Sequence, residues 1–337
     1  MVIKNYFAAA NGYTGFRSYF GDIFNSNDYE HIYVIKGGPG TGKSTLMKKI
    51  AEKATKENTD HDKIFCSSDP SSLDGIIVRT ERGKFAVIDG TSPHERDAVI
   101  PGAIDTIINL GEGFDVKKLK EYRLEIVSLN ERKKAAYKSA YDTLKVAGAI
   151  SARINNLIKS SFSYRKAILF ADNILASHKS YLQNSSIMLT RAFCKLGLYE
   201  IEAFNSYKEQ YSIYGTHGED ILFLNILNEK SRQFNVVKSY SPLCHEDCDA
   251  IGIGETAYLS TNDENSPSFD AREFLDKKYS KEEVDTLESI HKNLLMLSKK
   301  HFDNASIYHF KLEKIYSSAV FFEKNEEILE KIISSIF

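Results

Sequence analysis

The sequence predicts an α/β fold in which a parallel-sheet module with a helical hairpin occurs twice. Three observations predict it. Over the first hundred residues, β-branched and aromatic runs alternate with a helical stretch. From Asp115 onward, apolar residues recur mostly three or four apart, and no proline occurs between Pro101 and Pro242. The same order of patterns then restarts near residue 211.

The elements follow in order. "IYVI" (32–35) is a short strand ending in a glycine-rich turn. "STLMKKIAEKA" (44–54) then has helical spacing, with Leu46, Ile50 and Ala54 on one side. "KIFCSS", "GIIV" and "KFAVIDG" read as further strands, with "TERG" as the turn joining the last two. Leu119, Tyr122, Ile126, Leu129, Ala136, Ala140 and Leu144 mark long helices, folded back as a hairpin through about residue 183. In the second half, "YSIYGTHG" lies on "YVIKGGPG", placing Gly215 and Gly218 where Gly37 and Gly40 stand. "GETAYLSTNDENSP" lies on "GKFAVIDGTSP" with three residues inserted, which sets Ser260 at the position of Asp89. Leu287, Ile290, Leu294, Leu297, Ala305, Tyr308, Leu312 and Ile315 repeat the helical stripe. The expected units are residues 1–170 and 171–337.

Composition narrows the function classes. Hydrophobic residues make up 42% of the 337 and charged residues 27%, enough for ordinary cores without staples. A net charge of −2 creates no global field favouring nucleic acid or membranes. Cys66, Cys194, Cys244 and Cys248 are too sparse for a disulfide framework. No apolar run approaches the roughly 18 residues of a membrane span. The opening has only a five-residue apolar patch, too short for a signal peptide, so the cytoplasm is the expected location.

One stretch carries chemistry. Gly37, Gly38, Pro39, Gly40, Thr41, Gly42, Lys43 and Ser44 fit G-x-x-x-x-G-K-[ST], the phosphate-binding P-loop, with Thr45 next on the helix. Glycines let successive backbone N–H groups converge on phosphate oxygens. The helix that follows adds its unpaired N–H groups and positive end. Lys43 supplies a cation at the β- and γ-phosphates, and the Ser44 hydroxyl suits Mg²⁺. Asp89, ending the strand "KFAVID", is the expected second metal ligand. Gly90 follows it where many ATP-driven machines place a water-activating Glu. A hydrolytic base, if there is one, must then come from elsewhere: Asp69 is one candidate, with a turn or helix-cap role as its alternative, and Asp74 a weaker one. Arg96, in "SPHERD" beside His94, is a candidate for neutralising transition-state charge, with a solvated loop arginine as the more ordinary reading.

Other features weigh less. "CHEDC" (244–248) has metal-like residues but no second ligand pair. His217 reads as an exposed loop residue. "RKKAAYKSAYDTLK" (132–145) reads as a solvated helix face rather than a nucleic-acid contact. In the second half, "EDILFL" replaces Gly42, Lys43 and Ser44, so carboxylates stand where polyphosphate would need a cation.

The runs "YFAAANGYTGF", "IYVIKGGPGTGKSTLMKKI", "CSSDPSSLDGIIV" and "AVIDGTSPHERDAVIPGAIDTIINLGE" resemble an uncharacterised bacterial family of tandem P-loop ATPase-like proteins. The likeness covers roughly residues 5–150. It implies two P-loop NTPase-like modules, with nucleotide binding expected from the first. The second copy in that family commonly keeps its own glycine–lysine loop, and this chain departs there. The expectation is a P-loop module binding ATP (or GTP) with Mg²⁺ and hydrolysing it slowly, beside a degenerate copy that binds no nucleotide. Two alternatives stand: a small-molecule kinase, and a nucleotide-sensing scaffold whose helical hairpins dock a protein partner.

Overall fold

The computed structural model describes residues 1–179, 185–261, 263–265 and 267–337. The expected helix end near 183 lies outside these, as do Asn262 and Ser266 of the inserted segment. The chain opens with β1 (Ile3–Phe7), a hairpin of β2 (Ala9–Gly12) and β3 (Gly15–Ser18), and the short α1 (Phe20–Ile23). It continues through β4 (His31–Lys36), α2 (Lys43–Lys56), β5 (Asp60–Phe65), β6 (Leu73–Thr80), β7 (Gly83–Asp89) and β8 (Asp105–Asn109). The helices α3 (Val116–Glu121), α4 (Arg123–Lys159) and α5 (Tyr164–Ala176) follow. Next come β9 (Ser185–Ile187), the hairpin β10 (Arg191–Cys194) and β11 (Gly197–Glu200), β12 (Glu209–Tyr214) and α6 (Glu219–Lys230). Last are β13 (Val236–Tyr240), β14 (Cys248–Ile253), β15 (Thr256–Thr261), β16 (Phe269–Asp270), α7 (Lys281–Ser317) and α8 (Glu323–Ile336).

Two six-stranded sheets result, ordered β1-β5-β6-β7-β4-β8 and β9-β13-β14-β15-β12-β16. Each pairing in the first has a counterpart of the same direction in the second. The sheets are mixed rather than parallel throughout. The tight turn ahead of Gly83 (φ +134°) sends β7 back along β6, so β6 alone runs against its neighbours in the first sheet, and β14 does so in the second. The carboxyl ends of β4 and β7, which carry the loop at 37–42 and Asp89, lie at one sheet edge.

The two sheets meet in a shared core of Ile32, Val34, Ile64 and Ile88 against Met188, Phe204, Ala250 and Ala257. Each sheet's outer face is covered by helices, giving four layers. Strands buried on both faces read as the continuous apolar runs "GIIV" and "AVI". On the first sheet, Leu46, Met47 and Ile50 of α2 pack with Leu329, Ile332 and Ile336 of α8. On the second, Leu222, Phe223 and Leu227 of α6 pack with Ala167, Ala171 and Leu175 of α5. The helix closing each half therefore covers the other half's sheet.

The hairpin expected within each half is formed instead between the halves. α4 and α7 have 37 residues each, about 55 Å at 1.5 Å per residue. They run antiparallel: Arg153 pairs with Glu283 near one end, and the Ser298 hydroxyl donates to the Ala140 carbonyl near the middle. Ala140 and Ser298 are both fully buried, and their small side chains let the backbones approach. The seam takes Leu129, Ala136, Ala140 and Leu144 of α4 as expected. On α7 it takes Val284, Phe302, Ala305 and Leu312, whereas Ile290 and Leu297 of the expected stripe are 44% and 46% exposed. No helix among the described residues is long and apolar enough to cross a membrane.

Candidate functional site

The loop 37–42 joins β4 to α2 at the sheet edge that also carries Asp89 and the segment 66–72. Its conformation needs glycine where a side chain would collide. Gly40 has φ +71°, and a Cβ there would lie 2.5 Å from the Glu313 carbonyl of α7. Gly42 has φ +89° and caps α2 without any side-chain hydrogen bond, and the first turn of α2 has no acidic residue. The N–H groups of that turn and the positive helix end thus face the loop's concavity.

Lys43 fills that concavity. Its ammonium donates to the Gly37 and Gly38 carbonyls, 3.0 Å each, and stands 3.7 Å from Asp89 Oδ2. Ser44 Oγ accepts from the Leu73 N–H at 2.9 Å. Asp89 Oδ1 accepts from the Thr91 N–H and hydroxyl, which orients the carboxylate. The Thr41 hydroxyl donates to the Gly38 carbonyl, and Asn325 of α8 donates to the Thr41 carbonyl. Pro39 is half-buried in the loop's turn, while Thr45 lines a cavity of about 80 Å³ with Phe322 and Asn325. Lys43 and Asp89 therefore stand together beside the start of α2, where Ser44 follows Lys43. Ser44 and Asp89 are hard oxygen donors, the chemistry Mg²⁺ takes.

The remaining candidates divide. Asp69 accepts from the Ser71 N–H and hydroxyl, and pairs at 2.7 Å with Lys195 from the β10–β11 turn of the other half. Burial works against its charge, but Lys195 and Ser71 prevail and hold the carboxyl below the usual range. A carboxylate so stabilised is a poor proton acceptor. Asp74 is bound 2.9 Å from His94 Nε2 in a buried pair, and His94 stacks on Phe20. Arg96 is neither solvated nor turned to phosphate: it donates to the Phe24 carbonyl and to Ser26, beside Asp105. All three fasten the module's frame.

Two cations escaped sequence reasoning. Lys195 is one. Lys133 of α4 is the other: burial first, then the charges of Lys134 and Lys43, press its ammonium pKa down. The helix read as a solvated face turns one side to the site. Tyr137 lies against Ser68, and Tyr141 donates to Asn11 Oδ1 at 2.7 Å, while Lys134 and Lys138 point to water. Asn11 in turn donates to the Phe193 and Ser67 carbonyls, tying both halves to α4.

The second half places different groups on the same frame. Gly218, with φ +105°, caps α6 as Gly42 caps α2, so the loop is two residues shorter and Gly218 stands at Gly42 rather than Gly40. Glu219 then occupies the position of Lys43 and Asp220 that of Ser44. The fully buried Glu219 accepts from the His217 N–H at 2.8 Å and from Tyr279 at 3.2 Å. Ser260 does sit at the Asp89 position, since Ile213 pairs with it as Ile35 pairs with Asp89. Helix hydroxyl and strand carboxylate have exchanged places, and the Ser260 hydroxyl donates to Asp220 Oδ2 at 2.6 Å. Burial raises the Asp220 carboxyl to about 6, against the lowering effect of that bond. His217, expected to be exposed, is 8% exposed, with Nδ1 2.6 Å from Glu288 Oε1. The "CHEDC" residues form no metal-type cluster among the described residues: Cys248 faces the core, and Cys244 lines a cavity above the second loop beside Asp247.

Comparison with family models, with curated proteins and with solved structures finds no match.

Proposed function

We propose that the first half binds a nucleoside triphosphate, ATP or GTP, with Mg²⁺ and hydrolyses it slowly, and that the second half is a degenerate copy of the same module that holds no nucleotide. The observation that carries this reading is the contrast between the two helix starts. At α2, uncapped N–H groups, Lys43, Ser44 and Asp89 meet in one concavity. At α6, Glu219 already takes the loop's donor from within. The matching strand orders support descent from one module.

In this reading the loop N–H groups and Lys43 offset the charge of the β- and γ-phosphates. Mg²⁺, held by Ser44 and Asp89, would supply charge neutralisation at the transferring phosphoryl group. Beside the loop, Thr45, Phe322 and Asn325 line a cavity of about 80 Å³. Lys133, whose charge is felt beside Lys43, and Lys195, paired with Asp69, are further cations near the loop. Gly90 after Asp89 offers no base and Asp69 is held by Lys195, which fits slow turnover. A kinase would ask Asp69 to take an acceptor's proton, and its ion pair works against that.

The scaffold reading has one observation in its favour. Leu124, Val127, Met296 and Phe310 on the long helices are 84%, 54%, 49% and 55% exposed. Nucleotide-dependent capture of a partner by these helices would be compatible with weak hydrolysis.

Phosphate release by the full chain with Mg-ATP and Mg-GTP tests the proposal. Wild type is expected to release phosphate, and Lys43→Ala to lose at least about 100-fold of its nucleotide affinity. That corresponds to the ~3 kcal/mol upper range of a charge-assisted bond. Equal release and equal affinity in the two proteins would refute it.

A further inference from the structure

A cavity of about 690 Å³ lies between the second loop and α7, with Tyr13 of the first hairpin closing one side. It is of the size that small-ligand sites have, roughly 300–1,000 Å³. His217 enters it from the loop, and Asp285 and Glu288, one helical turn apart, face it from α7. One ligand atom from each of these three lies within 4.8 Å of the other two. His217 is itself nine-tenths buried, and besides Glu288 its ring has no hydrogen-bond partner among the described residues. Of the other charged groups, Asp247 and Lys292 line the cavity, and buried Glu219 lies just behind His217. Carboxylates therefore outnumber cations around two imidazoles, of which His291 is engaged by the Tyr13 hydroxyl at 2.7 Å. An ion pair between His217 and Glu288 would need neither Asp285 nor the open volume beside it.

We propose that the second half, having lost its phosphate chemistry, holds a divalent transition-type metal ion on His217, Asp285 and Glu288, with its remaining coordination positions open to the cavity. One imidazole nitrogen and two carboxylates form a donor set that suits Zn²⁺, Mn²⁺, Fe²⁺ or Co²⁺. Mg²⁺ and Ca²⁺ prefer oxygen donors alone. Three protein ligands leave room for water or a small anionic ligand, as metal sites with exchangeable positions do. Because His217 comes from the loop and Asp285 and Glu288 from α7, a bound ion would fasten the long helices to the second sheet. The site rests on residues separate from Lys43, Ser44 and Asp89, so it stands or falls independently of the nucleotide reading.

The test uses the full chain, stripped with chelator and titrated calorimetrically with Zn²⁺, Mn²⁺ and Mg²⁺, and with Co²⁺ followed by visible absorption. One Zn²⁺ or Co²⁺ per chain is expected, with much weaker uptake of Mg²⁺. Glu288→Gln and Asp285→Asn, which preserve shape, should each weaken binding by roughly 10-fold or more. Cys244→Ser and Lys43→Ala should leave it unchanged. Circular dichroism of each variant separates loss of the site from loss of the fold. Absence of a stoichiometric site in wild type would overturn the proposal. So would affinity unaltered by Glu288→Gln and Asp285→Asn, or binding that disappears with Cys244→Ser.

Discussion

A single carboxylate shows how residue identity sets the second site's behaviour. Burial lifts Asp220 to about 6, whereas an unfolded Asp titrates near 4. Between those values the folded chain keeps a proton that the unfolded chain has lost. Stability contributed by this group therefore falls as pH rises from about 4 to 6, and the full penalty, about 3 kcal/mol at most, persists above. Asp220→Asn keeps an acceptor for Ser260 and removes the charge. It should raise the melting temperature at pH 7 and change it little near pH 4. Melting curves at both values check this, and equal effects at the two would contradict it. At the first site, Lys133 should matter to turnover more than to binding. Lys133→Ala is expected to lower phosphate release roughly 10-fold or more at saturating nucleotide, with affinity nearly unchanged. Single-turnover rates beside equilibrium titration distinguish the two effects.

At the scale of elements, the long helices and the hairpins bind the halves together. Gly148 of α4 faces the turn of the first hairpin, and a Cβ there would lie 2.7 Å from Tyr13 Cβ. Alanine is the better helix former by about 1 kcal/mol, yet both atoms sit on backbone-anchored carbons and cannot swing aside. Gly148→Ala should destabilise the chain by about 1–3 kcal/mol, read from denaturant midpoints. The closing helix α8 makes a larger test. Removing residues 323–337 strips Leu329, Ile332 and Ile336 from the core over α2, a loss of about 5 kcal/mol or more at ~2 kcal/mol per side chain. It also removes Asn325 from the loop carbonyl of Thr41. The truncated chain should lose nucleotide affinity and melt earlier, although residues 1–170 remain intact in sequence.

At the scale of the whole molecule, what the sequence reveals is local and what it conceals is long-range. The loop at 37–44 is legible because one strand, one turn and one helix start decide its conformation, and Asp89 because a strand end puts it at the same edge. The amphipathic stripes of α4 and α7 reveal which residues seek burial but not against what. The pairing of α4 with α7, and the crossing of α5 and α8, therefore had to come from the structure. Lys195 and Lys133 lie 126 and 64 positions from Asp69, and no local pattern points either at it. His217 reads as exposed because a short glycine loop ordinarily is; the spacing of Asp285 and Glu288 on one face of α7 was the signal that something buried lay opposite. The alignment of the two loops slipped in register because the second is two residues shorter and both begin and end on glycine.

Calorimetric titration of the full chain with a nucleoside triphosphate and Mg²⁺ tests the central claim most directly. The predicted result is one bound nucleotide per chain, lost in Lys43→Ala and retained in Glu219→Gln. Two bound nucleotides, none, or one that survives Lys43→Ala would contradict it.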